Sequence, residues 1–128
     1  MVLLDTCALI WYTLDSEKLS PAAVKACALI ASKGAFISAI SIWEIGLKIK
    51  HRQLDIGTSI SDYVKRLKKL NMLGIIPVDA EIWVENLGLD WSHKDPVDRT
   101  IVATARLKQL PIVTSDAVIR EFYPQTIW

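Results

Sequence analysis

DPVDRTIVATARLKQLPIVTSD, residues 95–116, reads as a helix that runs almost directly into a strand. Asp95-Pro96 pairs an N-cap with proline at the first helical position, where a missing N–H costs nothing because that group has no intrahelical acceptor. The helix is expected to reach Gln109. Pro111-Ile112-Val113-Thr114 is then a short apolar, β-branched run, ending near Asp116 as a buried strand would.

The same alternation continues on both sides. Downstream, Ala117–Phe122 reads as a short helix and Thr126–Trp128 as a last strand. Upstream, Ile75–Val78 reads as a strand and Asp79 as the cap of a helix to about Leu87. Between Ser59 and Leu70, Ile60, Tyr63, Val64, Leu67 and Leu70 recur at steps of three and four, predicting an amphipathic helix stopped by Gly74. Ser41 and Glu44 have capping-box spacing, predicting a helix from Ser41 to about Arg52. Ala35–Ser38 reads as a strand, and Ser20-Pro21 opens a helix to Ser32 with Gly34 as its stop. Val2–Leu4 is a short apolar strand ending in Asp5. Short strands alternating with helices predict a three-layer α/β sandwich, a mainly parallel central sheet flanked by helices, formed as one domain over residues 1–128.

Composition agrees. The chain is 52% hydrophobic and 23% charged, a balance that forms a packed core and excludes a disordered chain. The longest uncharged stretch beyond the N-terminal segment is Gly34–Trp43, too short for the roughly 20 residues of a membrane span. Met1–Leu14 is apolar but carries Asp5 and no basic leader, so a cytoplasmic protein is expected. Cys7 and Cys27 form no metal-ligand spacing with His51 and His93 and read as reduced thiols. A net charge of +1 does not by itself select a nucleic-acid partner. Seven of the fifteen basic residues fall between Lys48 and Lys69, which permits phosphate binding but equally suits a solvated helix face.

In a parallel sheet, function gathers at the carboxyl ends of the strands. Asp5 and Asp116 follow strands, Glu44 sits near the start of the helix after the second strand, and Asp95 and Asp98 open a helix. All five acids could meet on one edge. A cluster of oxygen ligands suits Mg²⁺ or Mn²⁺, which activate water and offset charge in phosphodiester cleavage. Each acid also has a purely structural reading. Glu44 would complete a capping box, Asp95 would cap its helix, Asp98 would sit in the positive helix end, and Asp116 would open a turn. Asp5 fits such a reading least, because an acid directly after a buried strand costs desolvation unless something pairs with it.

Four blocks carry a more specific signal. Leu-Leu-Asp-Thr-Cys-Ala-Leu-Ile-Trp (3–11), Ser-Ala-Ile-Ser-Ile-Trp-Glu-Ile (38–45), His-Lys-Asp-Pro-Val-Asp-Arg-Thr-Ile-Val-Ala-Thr-Ala (93–105) and Leu-Pro-Ile-Val-Thr-Ser-Asp (110–116) resemble, in order, the four blocks of PIN-domain proteins. The Asp-Pro-x-Asp-Arg form of the third is similar to that of VapC-like toxins. Cys7 departs from that pattern, since histidine commonly stands there.

The resemblance implies a PIN-like fold and an Mg²⁺- or Mn²⁺-dependent endoribonuclease, with one or two ions held by Asp5, Glu44, Asp98 and Asp116. Thr6, Asp95, Thr114 and Ser115 would support those ligands from outside, and Lys48, Lys50 and Arg52 would bind RNA. It further implies a cognate antitoxin and a homodimer, for which Trp11, Tyr12, Trp43 and Trp83 offer aromatic surface. A non-catalytic PIN-like module that binds RNA or protein is the alternative. A receiver domain or haloacid-dehalogenase-like phosphatase fits poorly, because Asp5 is followed by Thr6 and Cys7 rather than by a second acid in their pattern.

Overall fold

The computed structural model describes all residues 1–128. Five parallel strands form one sheet: β1 (Val2–Leu4), β2 (Ala35–Ser38), β3 (Leu73–Ile76), β4 (Ile112–Val113) and β5 (Thr126–Ile127). Their spatial order is β3-β2-β1-β4-β5, and every adjacent pair is parallel. The sheet is therefore wholly rather than mainly parallel. The chain winds outward from β1 to β3 and then returns to build the other side, so the order reverses between β1 and β4. That reversal opens a crevice at the carboxyl ends of these two strands.

Period-two alternation distributes the core over both faces. Leu4 and Val113 join one apolar cluster with Ala8, Leu9, Ile45, Tyr63 and Leu67; Leu3 and Ile112 join the other with Ile82, Val97, Ile101 and Ile119. Helices α1 (Thr6–Leu14), α2 (Pro21–Ala28), α3 (Ile30–Lys33) and α5 (Ile60–Lys69) serve the first cluster, and α6 (Ala80–Gly88), α7 (Pro96–Lys108) and α8 (Ala117–Phe122) the second. Helix α4 (Ala39–Lys50) reaches both, through Ile45 and Ile40.

Four local expectations need correcting. Residues 6–14, expected only as an apolar N-terminal segment, form α1, capped when Asp5 accepts the Ala8 N–H at 2.7 Å. A helix that is mostly apolar on every side shows little periodicity, which hid it. Helix α4 starts at Ala39 with Ser38 as its cap, and Ser41 is buried inside it, so Ser41 and Glu44 form no capping box. The expected helix from Ser20 to Ser32 breaks at Leu29 into α2 and α3. Gly74 does not stop a helix but lies in β3 opposite Phe36, where an added Cβ would come within 2.7 Å of the ring. Helices α5, α6, α7 and α8 lie where their caps and periodicity put them, within a residue or two.

Candidate active site

The backbone carries three acids to the crevice through three helix N-termini. Asp5 ends β1 and caps α1; Asp116 follows β4 and caps α8, accepting the Val118 N–H at 2.8 Å; Asp98 occupies the first turn of α7. Asp95 caps that helix by accepting the N–H groups of Val97 at 2.9 Å and Asp98 at 3.0 Å. The positive end of each helix favours a carboxylate, which is how acids can share a crevice with no lysine or arginine between them. No salt bridge joins a lysine or arginine to Asp5, Asp98 or Asp116.

Asp5 is the most constrained of them, only 6% exposed. Burial raises its pKa to about 6, against hydrogen bonds from Thr114 and Ala8 that lower it, and repulsion from Asp98 and Asp116 adds to the rise. Burial likewise raises Asp98, opposed by its hydrogen bond with His93, while Asp95 and Asp116 push it further up. Asp5, Asp98 and Asp116 thus feel one another's charge. Glu44, half-buried in α4, is felt at Cys7, along with Asp5, Asp116 and Lys48. The Cys7 thiol is raised chiefly by burial and lies within reach of all four of these charges.

Thr114, fully buried, donates its hydroxyl to Asp5 Oδ2 and accepts the Asp116 N–H at 3.0 Å. Thr6 instead pairs with the Ser41 hydroxyl at 2.9 Å, tying α1 to α4. Ser115 is half-buried beside Asp116. Of the basic residues, Lys48 is half-buried near Cys7, whereas Lys50 and Arg52 are exposed.

Sequence reasoning set His93 aside, yet its Nε2 lies 2.7 Å from Asp98 Oδ2. It also missed Arg99. This guanidinium meets no acid; it donates to the carbonyls of Asn86 (2.6 Å), Leu89 (3.3 Å), Trp91 (2.7 Å) and His93 (3.0 Å), pinning the segment that leads into α7. The Asp-Arg pair at 98–99 was the available signal: consecutive helical residues point in different directions, so only one could enter the site.

The donor set fits a hard divalent cation in charge and chemistry, since carboxylates that repel one another meet no lysine or arginine, and only Asp98 has a basic neighbour, His93. It is not a closed cage: no three acid, histidine or cysteine side chains converge closely enough to enclose an ion.

The PIN-domain family model matches residues 2–123. The chain belongs to the PIN-domain family. No curated protein sequence matches it. Among solved structures, this PIN domain is similar to a toxin–antitoxin complex from Klebsiella pneumoniae (TM-score 0.69, 22% identity, covering 100% of this chain and 97% of that one). It is also similar to Mycobacterium tuberculosis VapC20, a Sarcin-Ricin loop cleaving toxin (TM-score 0.63, 18% identity, 94% of each chain). A third is VapBC2 from Rickettsia felis bound to a promoter DNA fragment (TM-score 0.65, 16% identity, 100% of each chain). At these identities the likeness is one of fold. No helix of this PIN domain is long and apolar enough to cross a membrane.

Proposed function

We propose that this chain is a divalent-metal-dependent endoribonuclease, folded as one domain over residues 1–128, that serves in the cytoplasm as the toxin of a toxin–antitoxin pair. One observation carries the reading: Asp5, buried at the sheet's switch point, shares a crevice with Asp98 and Asp116 and no lysine or arginine neutralises them. PIN-domain membership supports it, as does the similarity in fold to VapC20 and to toxin–antitoxin complexes.

Asp5, Glu44, Asp98 and Asp116 would hold one or two Mg²⁺ or Mn²⁺ ions. When bound, the metal supplies an acidified water for attack and positive charge for the phosphate. The protein supplies position. Thr114 fixes the Asp5 carboxylate and the backbone at Asp116 together, and His93 engages one oxygen of Asp98. Asp95 holds the start of α7, Thr6 ties the start of α1, next to Asp5, to Ser41 of α4, and Ser115 precedes Asp116. Lys48, Lys50 and Arg52, along α4 and just past its end, would neutralise the RNA backbone. Exposed Trp43 and Trp83 offer apolar surface to a second copy or an antitoxin.

Asp5→Asn tests the reading. RNA cleavage in Mn²⁺ is expected to fall by at least a hundredfold with the fold intact, and retained cleavage in a clean preparation overturns the assignment. The lack of a preformed ion cage is the observation that favours the second reading, a PIN-like module that binds RNA or protein without cutting. RNA binding with no metal-dependent cleavage by the unaltered chain would select it.

A further inference from the structure

A second concavity adjoins the acids. Trp91, Ser92, His93, Val118, Glu121 and Phe122 line a cleft of about 430 Å³. Its walls are tied to the carboxylates by single hydrogen bonds: His93 Nε2 to Asp98 Oδ2, and the Val118 N–H to Asp116 Oδ1. Trp91 stacks on Phe122 with centroids 4.5 Å apart and planes 8° from parallel, and His93 tilts against Trp91 at 4.8 Å. All three rings are only half-buried.

The segment bearing Trp91 and His93 has no helix or strand to hold it, yet Arg99 accounts for both of their carbonyls. An arginine that donates to four backbone carbonyls and to the Asn86 side-chain oxygen holds the aromatic wall in place before any ligand arrives, which lowers the entropic cost of binding. A wall of this kind, with an apolar face and polar groups along its edge, suits a planar heterocycle.

We propose that this cleft is a nucleobase subsite, taking an unpaired base of the RNA strand beside the phosphate at the acids. The base stacks against the Trp91 and Phe122 wall, as unpaired bases do on aromatic side chains. Ser92 and His93 offer hydrogen-bonding groups to its edge, and Glu121 accepts from an exocyclic amine, the pairing that carboxylates make with cytosine. Exposed Lys94 and Arg120 flank these residues in sequence and supply charge for the adjoining phosphates. The proposal rests on the ribonuclease reading, and it gives that enzyme a preference for an amino-bearing base at this position.

The test is binding in EDTA, where no cleavage occurs. A fluorescein-labelled single strand of about ten nucleotides is compared by anisotropy with an abasic strand of the same backbone. The unaltered protein is expected to bind the base-bearing strand about tenfold more tightly, a ratio that vanishes in Trp91→Leu and survives in Trp91→Phe. Val118→Phe, at an exposed position, fills the cleft without removing the stack and is expected to abolish the ratio even if Trp91→Leu does not fold. Glu121→Ala is expected to lower preference for cytosine over uracil. Equal discrimination by the unaltered protein, Val118→Phe and any folded Trp91→Leu overturns the subsite and leaves the cleft to a protein partner. Repeating the panel with Mn²⁺ separates the two readings. Base discrimination without cleavage would retain the subsite and refute the nuclease, and cleavage indifferent to both cleft variants would do the reverse.

Discussion

The Thr114 hydroxyl donates to Asp5 Oδ2 and at the same time accepts the backbone N–H of Asp116. One buried side chain thus fixes acids that follow two neighbouring parallel strands, β1 and β4, in a single mutual geometry. Thr114→Val keeps the shape and removes both bonds, leaving a carboxylate oxygen and an amide without partners. Urea unfolding is expected to show a loss of about 1–3 kcal/mol, and cleavage to fall more than tenfold. Thr114→Ser, which keeps the hydroxyl, is expected to recover most of the activity.

Asp5 gives stability a pH dependence of defined sign. Its pKa rises from 3.8 unfolded to about 6 folded, so between these values the folded protein binds the extra proton. Stability of the metal-free protein is therefore highest below about pH 4 with respect to this group, falls as pH rises to about 6, and is level above it. The full loss is about 3 kcal/mol, and it should be absent from Asp5→Asn. Denaturant midpoints collected in EDTA across this range measure the difference between the two proteins. A midpoint profile for Asp5→Asn identical to the unaltered one would refute the assignment.

Carboxylates that repel one another should release that repulsion to a divalent ion. At about a hundredfold excess over its Kd, Mn²⁺ is expected to add about 2.7 kcal/mol and raise Tm by several degrees. Asp98→Asn should remove most of that rise. A melting curve unmoved by millimolar Mn²⁺ would count against the metal site itself.

Arg99 carries four backbone carbonyls that no other side chain covers. Lysine keeps the charge but is a compact ammonium with three donors and cannot span them. Arg99→Lys is expected to cost about 2–4 kcal/mol and lower Tm by about 10 °C. Because the pinned segment carries His93, the variant should also lose part of its cleavage rate at a temperature where it remains folded.

Much of this was legible in the chain because it is local. Asp95-Pro96 specified the start of α7, and the steps of three and four from Ile60 to Leu67 specified α5, since caps and amphipathic stripes act within a few residues. Where the signal was not local it misled. Ser41 and Glu44 have the spacing of a capping box, but the Ser41 hydroxyl is engaged by Thr6, from a helix that sequence periodicity could not reveal. Gly74 looks like a helix stop, but it is glycine because the Phe36 ring, on the neighbouring strand, lies where a Cβ would go.

By itself the sequence determined the alternation of strands and helices, the parallel class of the sheet and the candidate acids, because each follows from short-range propensity and from what ends a strand. Only the tertiary structure decided which acids face one another. The order β3-β2-β1-β4-β5 sets β1 beside β4, although their ends are separated by more than a hundred residues of chain. It brings Asp5, Asp98 and Asp116 within reach of one another's charge, while the charge of Glu44 is felt at Cys7 and not at Asp5 or Asp98. It also turned His93 from an unassigned residue into a partner of Asp98 and gave Arg99 backbone carbonyls instead of an acid. The physical reason is the same in each case: burial and like-charge repulsion depend on distance through space, which strand order fixes and local sequence does not.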